Sequence, residues 1–417
     1  MKPATIKKLD YYIGIPLCFL LTLYEKGKSL FSVSAGQRDT NRIVFIKLVE
    51  QGATVIAYPA IRRAIEMVGR ENVFFCVFKE NRPILDILNV IPEENIFEIR
   101  KDNLPVFIYD ILQFFLRARR LKIDTAIDME FFSRSSAIIS YLTGAAKIIG
   151  YHRYNSELPY RGDLMTHKLQ FNPYIHIAYA YRLLVESVLL SPNEQPMAKI
   201  KYDDLPLSYP LFVPSDGQIE RVNALLKMGD KGHDERPYII INPNASDMLP
   251  LRKWDMEKFI ILAERLLKHY DKITLIITGS PSEISAADEL CKRANSNKII
   301  NIAGKTSLED LLTLYYISDV IVTNDSGPGH FASLTSIHNI VLFGPETPRL
   351  FGPKGKNVHV IYKKLACSPC VNAFNHRFSP CANNICMKHI SVDEVFYKIR
   401  DVLMVGAVGI EPATSSI

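Results

Sequence analysis

No uninterrupted apolar run in the 417 residues reaches the roughly 20 that a membrane-spanning helix needs. Charge of one sign is also missing. Fifty Lys and Arg face 44 Asp and Glu, a formal net charge of +6. That is too little for a dedicated nucleic-acid binder, but it suits an anionic ligand or a membrane surface. Seven cysteines are too few for a disulfide scaffold of this length. Gly and Pro, at 20 and 24, exclude collagen-like and linker-dominated chains. Neither G-x-G-x-x-G after a strand nor G-x-x-x-x-G-K-[ST] occurs, so the usual NAD enzymes and P-loop NTPases lose support. The remainder, 48% hydrophobic and 23% charged, is ordinary globular composition at a length for two to three domains.

The nearest thing to a membrane segment is IGIPLCFLLTL at 13–23, which contains Pro16. Lys2, Lys7 and Lys8 precede it; Lys26 and Lys28 come after it. A secretory signal also has a basic start and a short apolar core, but Tyr24, Glu25, Lys26 and Gly27 offer no small-x-small cleavage site. Segment 1–40 is therefore expected to lie as a helix on a membrane surface, its lysines near anionic head groups. The protein would then be cytoplasmic, peripheral on the inner face of the plasma membrane. A helix packed on the protein's own core is the alternative.

Two strand–helix series are legible. The first, over 41–195, has strands at 42–48, 72–78, 95–99, 123–130 and 147–151. They are continuous apolar runs of the kind buried in parallel sheets, with helices between them at 54–68 and 104–121. An irregular stretch, 153–174, precedes a helix at 176–190. Pro192, Pro196, Pro206, Pro210 and Pro214 mark a connection, placed at 196–236. The second series, over 237–390, opens with YIIINPN at 238 and has further strands at 273–279, 298–304, 320–325 and 339–344. A last helix at 391–404 is expected to pack back on the first domain, and 405–417 reads as a disordered tail. The fold class is α/β, two doubly wound Rossmann-like domains with ligand between them.

In open parallel sheets, ligands gather beyond the carboxyl ends of the strands. After the strand at 320 comes NDSGPGH, where two glycines and a proline open a helix whose first N–H groups suit a phosphate. Asp325, Ser326, Gly327 and His330 are the donor-binding candidates there. After the strand at 238 comes NPNAS, ending in Ser246, then Arg252 and Lys253 just before a predicted helix. Cations there oppose the helix dipole, which favours a role toward a diphosphate leaving group over a structural one. Trp254 is expected to pack in the core. Glu283, after the next strand, could accept hydrogen bonds from a ribose or simply cap a helix.

Asn324-Asp325-Ser326-Gly327-Pro328-x-His330, followed by Phe343-Gly344-Pro345-x-x-Pro348, resembles the signature of glycosyltransferase family 9, the heptosyltransferases of lipopolysaccharide synthesis. Lys47, Gly52 and Pro59 match the family's N-terminal motif, and Arg252-x-Trp254 and Glu283 match in place. The resemblance implies a GT-B enzyme, its two domains facing across a cleft. It would transfer a heptose-like sugar with inversion from a nucleotide diphosphate donor, ADP-heptose-like, to a lipid-linked glycan acceptor, with no cofactor or metal required for catalysis. Asp325 and His330 would belong to the donor site, Arg252 would meet the diphosphate and Glu283 the ribose.

The family's general base is an Asp after Gly52, and here Ala53 stands instead. Glu50, on the same loop, is the first candidate replacement, with Asp128 and Glu130 behind it. Glu346 also stands where the family has Thr. A non-catalytic nucleotide-sugar-binding homologue and a nucleotide-sugar epimerase of similar architecture are the alternative functions.

Cys18, Cys76 and Cys291 are expected to pack as small hydrophobes. Cys367, Cys370, Cys381 and Cys386 form CSPC-x10-C-x4-C, enough for a structural tetrahedral zinc. Free thiols and disulfides are the alternatives.

Overall fold

Strands such as Val73–Phe78 (VFFCVF) and Tyr238–Asn242 (YIIIN) have no polar face and are buried at every position. Both faces of their sheets must be covered, and that requirement organises the chain. The computed structural model describes residues 3–29, 39–131, 133–154, 159–229, 235–245, 249–374 and 378–408. It divides into two units: Met1–Tyr209 with Val371–Phe378, and Pro210–Cys370 with Ser379–Ile417.

The first unit runs α1 (Pro3–Tyr12), α2 (Gly14–Ser29), β1 (Ile43–Ile46), α3 (Gln51–Val68), β2 (Val73–Phe78), α4 (Pro83–Leu88), β3 (Ile96–Ile99), α5 (Leu104–Arg120), β4 (Thr125–Asp128), α6 (Arg134–Leu142), β5 (Lys147–Tyr151), β6 (His167–Leu169) and α7 (Ile177–Glu186). Its parallel sheet has the order β3-β2-β1-β4-β5-β6. The second unit runs α8 (Asp216–Gly229), β7 (Tyr238–Asn242), α9 (Met256–His269), β8 (Thr274–Ile277), α10 (Ile284–Ala294), β9 (Ile299–Asn301), α11 (Leu308–Ile317), β10 (Val320–Asn324), α12 (Gly327–Ala332), β11 (His338–Phe343), α13 (Pro348–Phe351), β12 (Val358–Tyr362), α14 (Ile385–Lys388) and α15 (Val392–Val408). Its order, β12-β11-β10-β7-β8-β9, is the same winding. In each sheet the chain reverses direction beside its first strand, at β1/β4 and at β7/β10. Open α/β sheets take their ligands at such points.

Three expectations change. Segment 196–236 is no plain connection, because α8 lies within it and packs on α11. β6 and β12 were not expected; one is three residues long with His167 and Lys168 in it, and the other is a half-exposed edge strand. The last helix packs into its own unit, with Val395, Phe396, Ile399 and Val402 joining the core around β7, β10 and α9. It also runs on to Val408, while 409–417 lies outside the described residues.

The N-terminal helices are built into the first unit. Cys18 is fully buried in the core formed by β1, α5 and α6. Thr22 accepts from the Asp163 amide at 2.8 Å, and Tyr141 donates to Glu25 at 2.8 Å. Asp10 accepts from the amide and hydroxyl of Ser135. Packing on the protein's own core is thus realised for the inner face of α2. Cys76 is likewise buried and Cys291 half-buried, as small hydrophobes.

Candidate functional site

The carboxyl ends of β7, β8, β10 and β11 deliver the second unit's polar residues to one edge. Asn324, the last residue of β10, is fully buried and ties two loops together. Its Oδ1 accepts from the Trp254 amide at 2.9 Å, and its Nδ2 donates to the carbonyls of Pro243 and Asn244 at 3.0 and 3.3 Å. Trp254 is buried and donates from Nε1 to the Ile390 carbonyl, a packing role as expected. Asn324 therefore fixes Arg252, two residues before Trp254. The Arg252 Nη1 donates to the Asp325 carbonyl at 3.1 Å and lies 3.7 Å from Asp325 Oδ2 and 3.5 Å from Glu346 Oε2.

Arg252, Asp325 and Glu346 thus form one cluster, with His330 buried one helical turn further on in α12. Ser326 opens that helix, but its hydroxyl donates back to the Asn324 carbonyl rather than capping, and Gly327 is the first helical residue. Two carboxylates stand against one guanidinium, so the cluster is no simple cationic pocket. Its value is orientation: Nη1 is held by the acids, while Arg252 Nε and Asn244 Nδ2 are buried donors without a hydrogen-bond partner among the described residues. Buried donors are normally paired, so these two call for a partner such as water or a bound ligand. Glu283 closes a capping box with Ser280, accepting from its amide at 2.7 Å, and lies beside Gly279 and Asn244. Ser246 lies outside the described residues.

In the first unit the loop after β1 carries Glu50 at the N-cap of α3, with φ 71° and ψ 91°. A non-glycine residue with positive φ is costly and persists where its surroundings over-determine it. The surroundings here are specific. Glu130 Oε1 accepts from Lys47 Nζ at 3.0 Å and from the amides of Leu48 and Val49 at 2.9 and 3.2 Å. Asn81 donates to the Leu48 carbonyl at 2.8 Å. Glu130, a second choice for the base, is the clamp that shapes the loop holding Glu50. Asp128, the other second choice, is fully buried and bonded to Arg161 and Ser136.

Burial pushes the Asp128 carboxyl up to about 6, and the Arg161 guanidinium beside it only partly offsets this. The folded protein therefore holds a proton here that the unfolded chain, at 3.8, has released. This group's contribution to stability is full below 3.8 and is lost as pH rises through about 6. Relative to Asp128→Asn, which does not titrate, the parent should lose melting temperature between about pH 4 and pH 7. Thermal melts of both across that range test it, and a gap moving in the parent's favour refutes it.

A family model, glycosyltransferase family 9 (heptosyltransferase), matches residues 111–377. The chain belongs to glycosyltransferase family 9. Among curated relatives, the lipooligosaccharide heptosyltransferase 2 of Campylobacter jejuni is 24% identical over 216 residues, 49% of this chain and 66% of that protein. The lipopolysaccharide heptosyltransferase 2 of Salmonella typhimurium is 30% identical over 186 residues, 44% and 51% of the two chains. The matched stretch thus spans half to two thirds of these relatives' length. Among solved structures, the Escherichia coli ADP-heptose lipopolysaccharide heptosyltransferase II aligns with a TM-score of 0.66 at 18% identity, covering 88% of this chain and 99% of that one. The family 9 glycosyltransferase of Veillonella parvula aligns equally well, with a TM-score of 0.66 at 17% identity, covering 89% and 99%. These likenesses show the GT-B fold, two Rossmann-like units.

Within this family 9 chain the cysteine segment braces the loop after β11. Ser368 donates to the Gly344 carbonyl, and the Cys370 amide donates to that of Pro345 at 3.0 Å. A Cβ on Gly344 would fall 2.4 Å from the Met387 sulfur, so only glycine lets the segment close on the loop that leads to Glu346. Burial pushes the Cys386 thiol up, and Cys370, Cys381 and Cys367 push the same way. Among the described residues no three His, Cys, Asp or Glu side chains are arranged to hold a metal ion. No disulfide joins these cysteines among the described residues, and Cys367, Cys370 and Cys381 all lie near enough to Cys386 to act on its thiol.

Asn244, Asn324 and the clamp role of Glu130 were not anticipated. Asn242-Pro-Asn244 directly after a strand was a usable signal for the first. For Glu130, nothing local distinguishes a clamp from a base.

Proposed function

We propose that this chain is an inverting glycosyltransferase moving a heptose-like sugar from a nucleoside diphosphate donor to a lipopolysaccharide-type, lipid-linked glycan acceptor. The observation that carries this reading is the Arg252–Asp325–Glu346 cluster at the switch point of the family 9 unit. Heptose transfer is what the names of the relatives describe. In the proposed reaction the acceptor hydroxyl attacks the anomeric carbon, the new C–O bond forms as the bond to the diphosphate breaks, and the nucleoside diphosphate leaves. Glu50 takes the hydroxyl proton. Arg252 meets the negative charge growing on the leaving oxygen, so the reading requires no metal. Asp325 and Glu346 suit the positive charge that develops on the sugar ring, which one carboxylate per guanidinium would only neutralise.

The donor is expected to bind at Asp325, Ser326, Gly327 and His330, with Glu283 and Ser246 on the nucleoside side. Asp325→Ala and His330→Ala should each lower donor affinity at least ~10-fold, the loss of one good hydrogen bond to a charged or polar group, with unchanged circular dichroism. Calorimetry with ADP-heptose and a set of UDP- and GDP-sugars measures it. Parent-like affinity in both variants would place the donor elsewhere. Ala53 favours a second reading, donor binding without turnover, and transfer of labelled sugar by the parent decides between the two.

A lipid-linked acceptor calls for a peripheral position at the inner face of the membrane. Among the described residues no helix is long and apolar enough to cross one. We place the N-terminal segment at that surface. Deleting 1–28 is not the way to test it, since Cys18 would leave the core.

A further inference from the structure

α5 is apolar on both sides. Phe107, Ile111, Phe114 and Ala118 face the sheet, in the same core as Cys18 of α2 and Val44 and Ile46 of β1. Leu104, Ile108, Leu112 and Leu116, at four-residue spacing, and Tyr109 face away and are 48–62% exposed. α2 repeats the pattern. Cys18 and Thr22 point inward, while Phe19, Leu20, Leu23 and Tyr24, with Ile13 just before the helix, are 52–65% exposed. α2 and α5 bury their inner sides in one core cluster, to which α6 also contributes, and α2 packs along α6. A helix hydrophobic all round is normally buried, and apolar patches of this extent mark interaction surfaces.

Charge identifies the occupant. Lys8, Lys26, Lys28, Arg117, Arg119 and Arg120 are exposed on α1, α2 and α5. The acids of these helices are mostly drawn into the protein: Asp10 to Ser135 and Arg134, Asp110 to Arg100 at 2.7 and 2.9 Å, and Glu25 to Tyr141, with Lys28 3.8 Å from the same carboxylate. Asp102, exposed, sits before the start of α5, at the opposite end from the arginines. Apolar residues bordered by cations fit an anionic bilayer, the apolar side chains entering the acyl boundary and the cations meeting head groups. A second copy of this chain would set cation against cation.

We propose that α5 and the outer face of α2 form one docking platform by which the first unit lies on an anionic lipid surface. This extends the membrane position put forward above by assigning a second anchor, far from the N-terminus in sequence, and so fixes which face of the unit meets the lipid.

The test uses the full chain with vesicles of phosphatidylglycerol and phosphatidylethanolamine, and of phosphatidylcholine. The parent should co-sediment with the first, more weakly with the second, and less as salt rises. Leu112→Glu with Leu116→Glu in α5 should lower the bound fraction on anionic vesicles at least tenfold, as should Leu20→Glu with Leu23→Glu in α2. Lys26→Gln with Arg120→Gln leaves the core untouched and should lower binding to anionic vesicles alone. Thermal melts and donor calorimetry on the same preparations should match the parent, and they separate failure of the platform from failure of the transferase reading. An α5 variant that binds vesicles like the parent overturns the proposal, as does a parent that does not bind. So does a parent dimer, seen by analytical ultracentrifugation, that the α5 variant splits, which would give the face to a second copy.

Discussion

Arg252→Ala is expected to lower the rate of sugar transfer by about 10²–10³-fold, the usual cost of removing one preorganised donor from a developing oxyanion. The donor's ground-state affinity should change far less. The diphosphate is already anionic when bound, but the leaving oxygen gains its full charge only as the bond to the anomeric carbon breaks. An interaction that strengthens along that coordinate appears in kcat rather than in binding. The anchoring of Arg252 is the reason to expect a large effect. Arg252 is anchored by the Asp325 carbonyl and by the carboxylates of Asp325 and Glu346, so its guanidinium needs no reorganisation during the reaction. Arg252→Lys should recover little, because one ammonium cannot keep both the acid contacts and a donor toward the ligand. Steady-state kinetics and donor calorimetry on the same variants read the split. Equal loss in affinity and rate would make Arg252 a binding residue only, and parent-like kinetics would remove it from the site.

The second large effect is expected at Glu50. Glu50→Gln keeps the size and hydrogen bonding of the side chain but cannot take a proton at neutral pH, so transfer should slow by about 10²–10⁴-fold with donor affinity retained. The loop geometry makes a companion variant informative. Glu130→Gln keeps an acceptor for the Leu48 and Val49 amides but leaves Lys47 as a buried unpaired charge. It should lower thermal stability as well as rate, whereas Glu50→Gln lowers rate alone. Ala53→Asp in the Glu50→Gln background restores part of the activity if the first turn of α3 presents position 53 to the acceptor. Normal turnover in Glu50→Gln would show that the proton goes elsewhere.

Much of this protein was legible from its sequence because the deciding features are local. Apolar runs such as IVFI, VFFCVF and YIIIN cannot be half-exposed, so they read as buried parallel strands without knowledge of their neighbours. The residues directly after such a strand lie at its carboxyl end whatever the sheet order. That is why Arg252 and the Asp325–His330 turn could be assigned to one edge of one unit. The chain also signalled its departure at Ala53, because a missing carboxylate is visible in one dimension.

Tertiary structure decided the rest, since a side chain's role depends on what strand order brings beside it. Asp128 and Glu130 looked like spare carboxylates at a strand end; adjacency of β1 and β4 makes one the partner of Arg161 and the other the clamp on the Glu50 loop. Glu346 looked like a substitution in a phosphate loop; packing turned it into an acid on Arg252. The cysteine segment, read from its spacing alone, also packs as a brace: the Cys370 amide donates to the Pro345 carbonyl in the loop after β11. The N-terminal run could be read as membrane-facing or core-facing from its hydrophobicity alone. Packing against α6 showed that its inner face belongs to the core, because only a neighbouring helix gives an all-round apolar helix an inside and an outside.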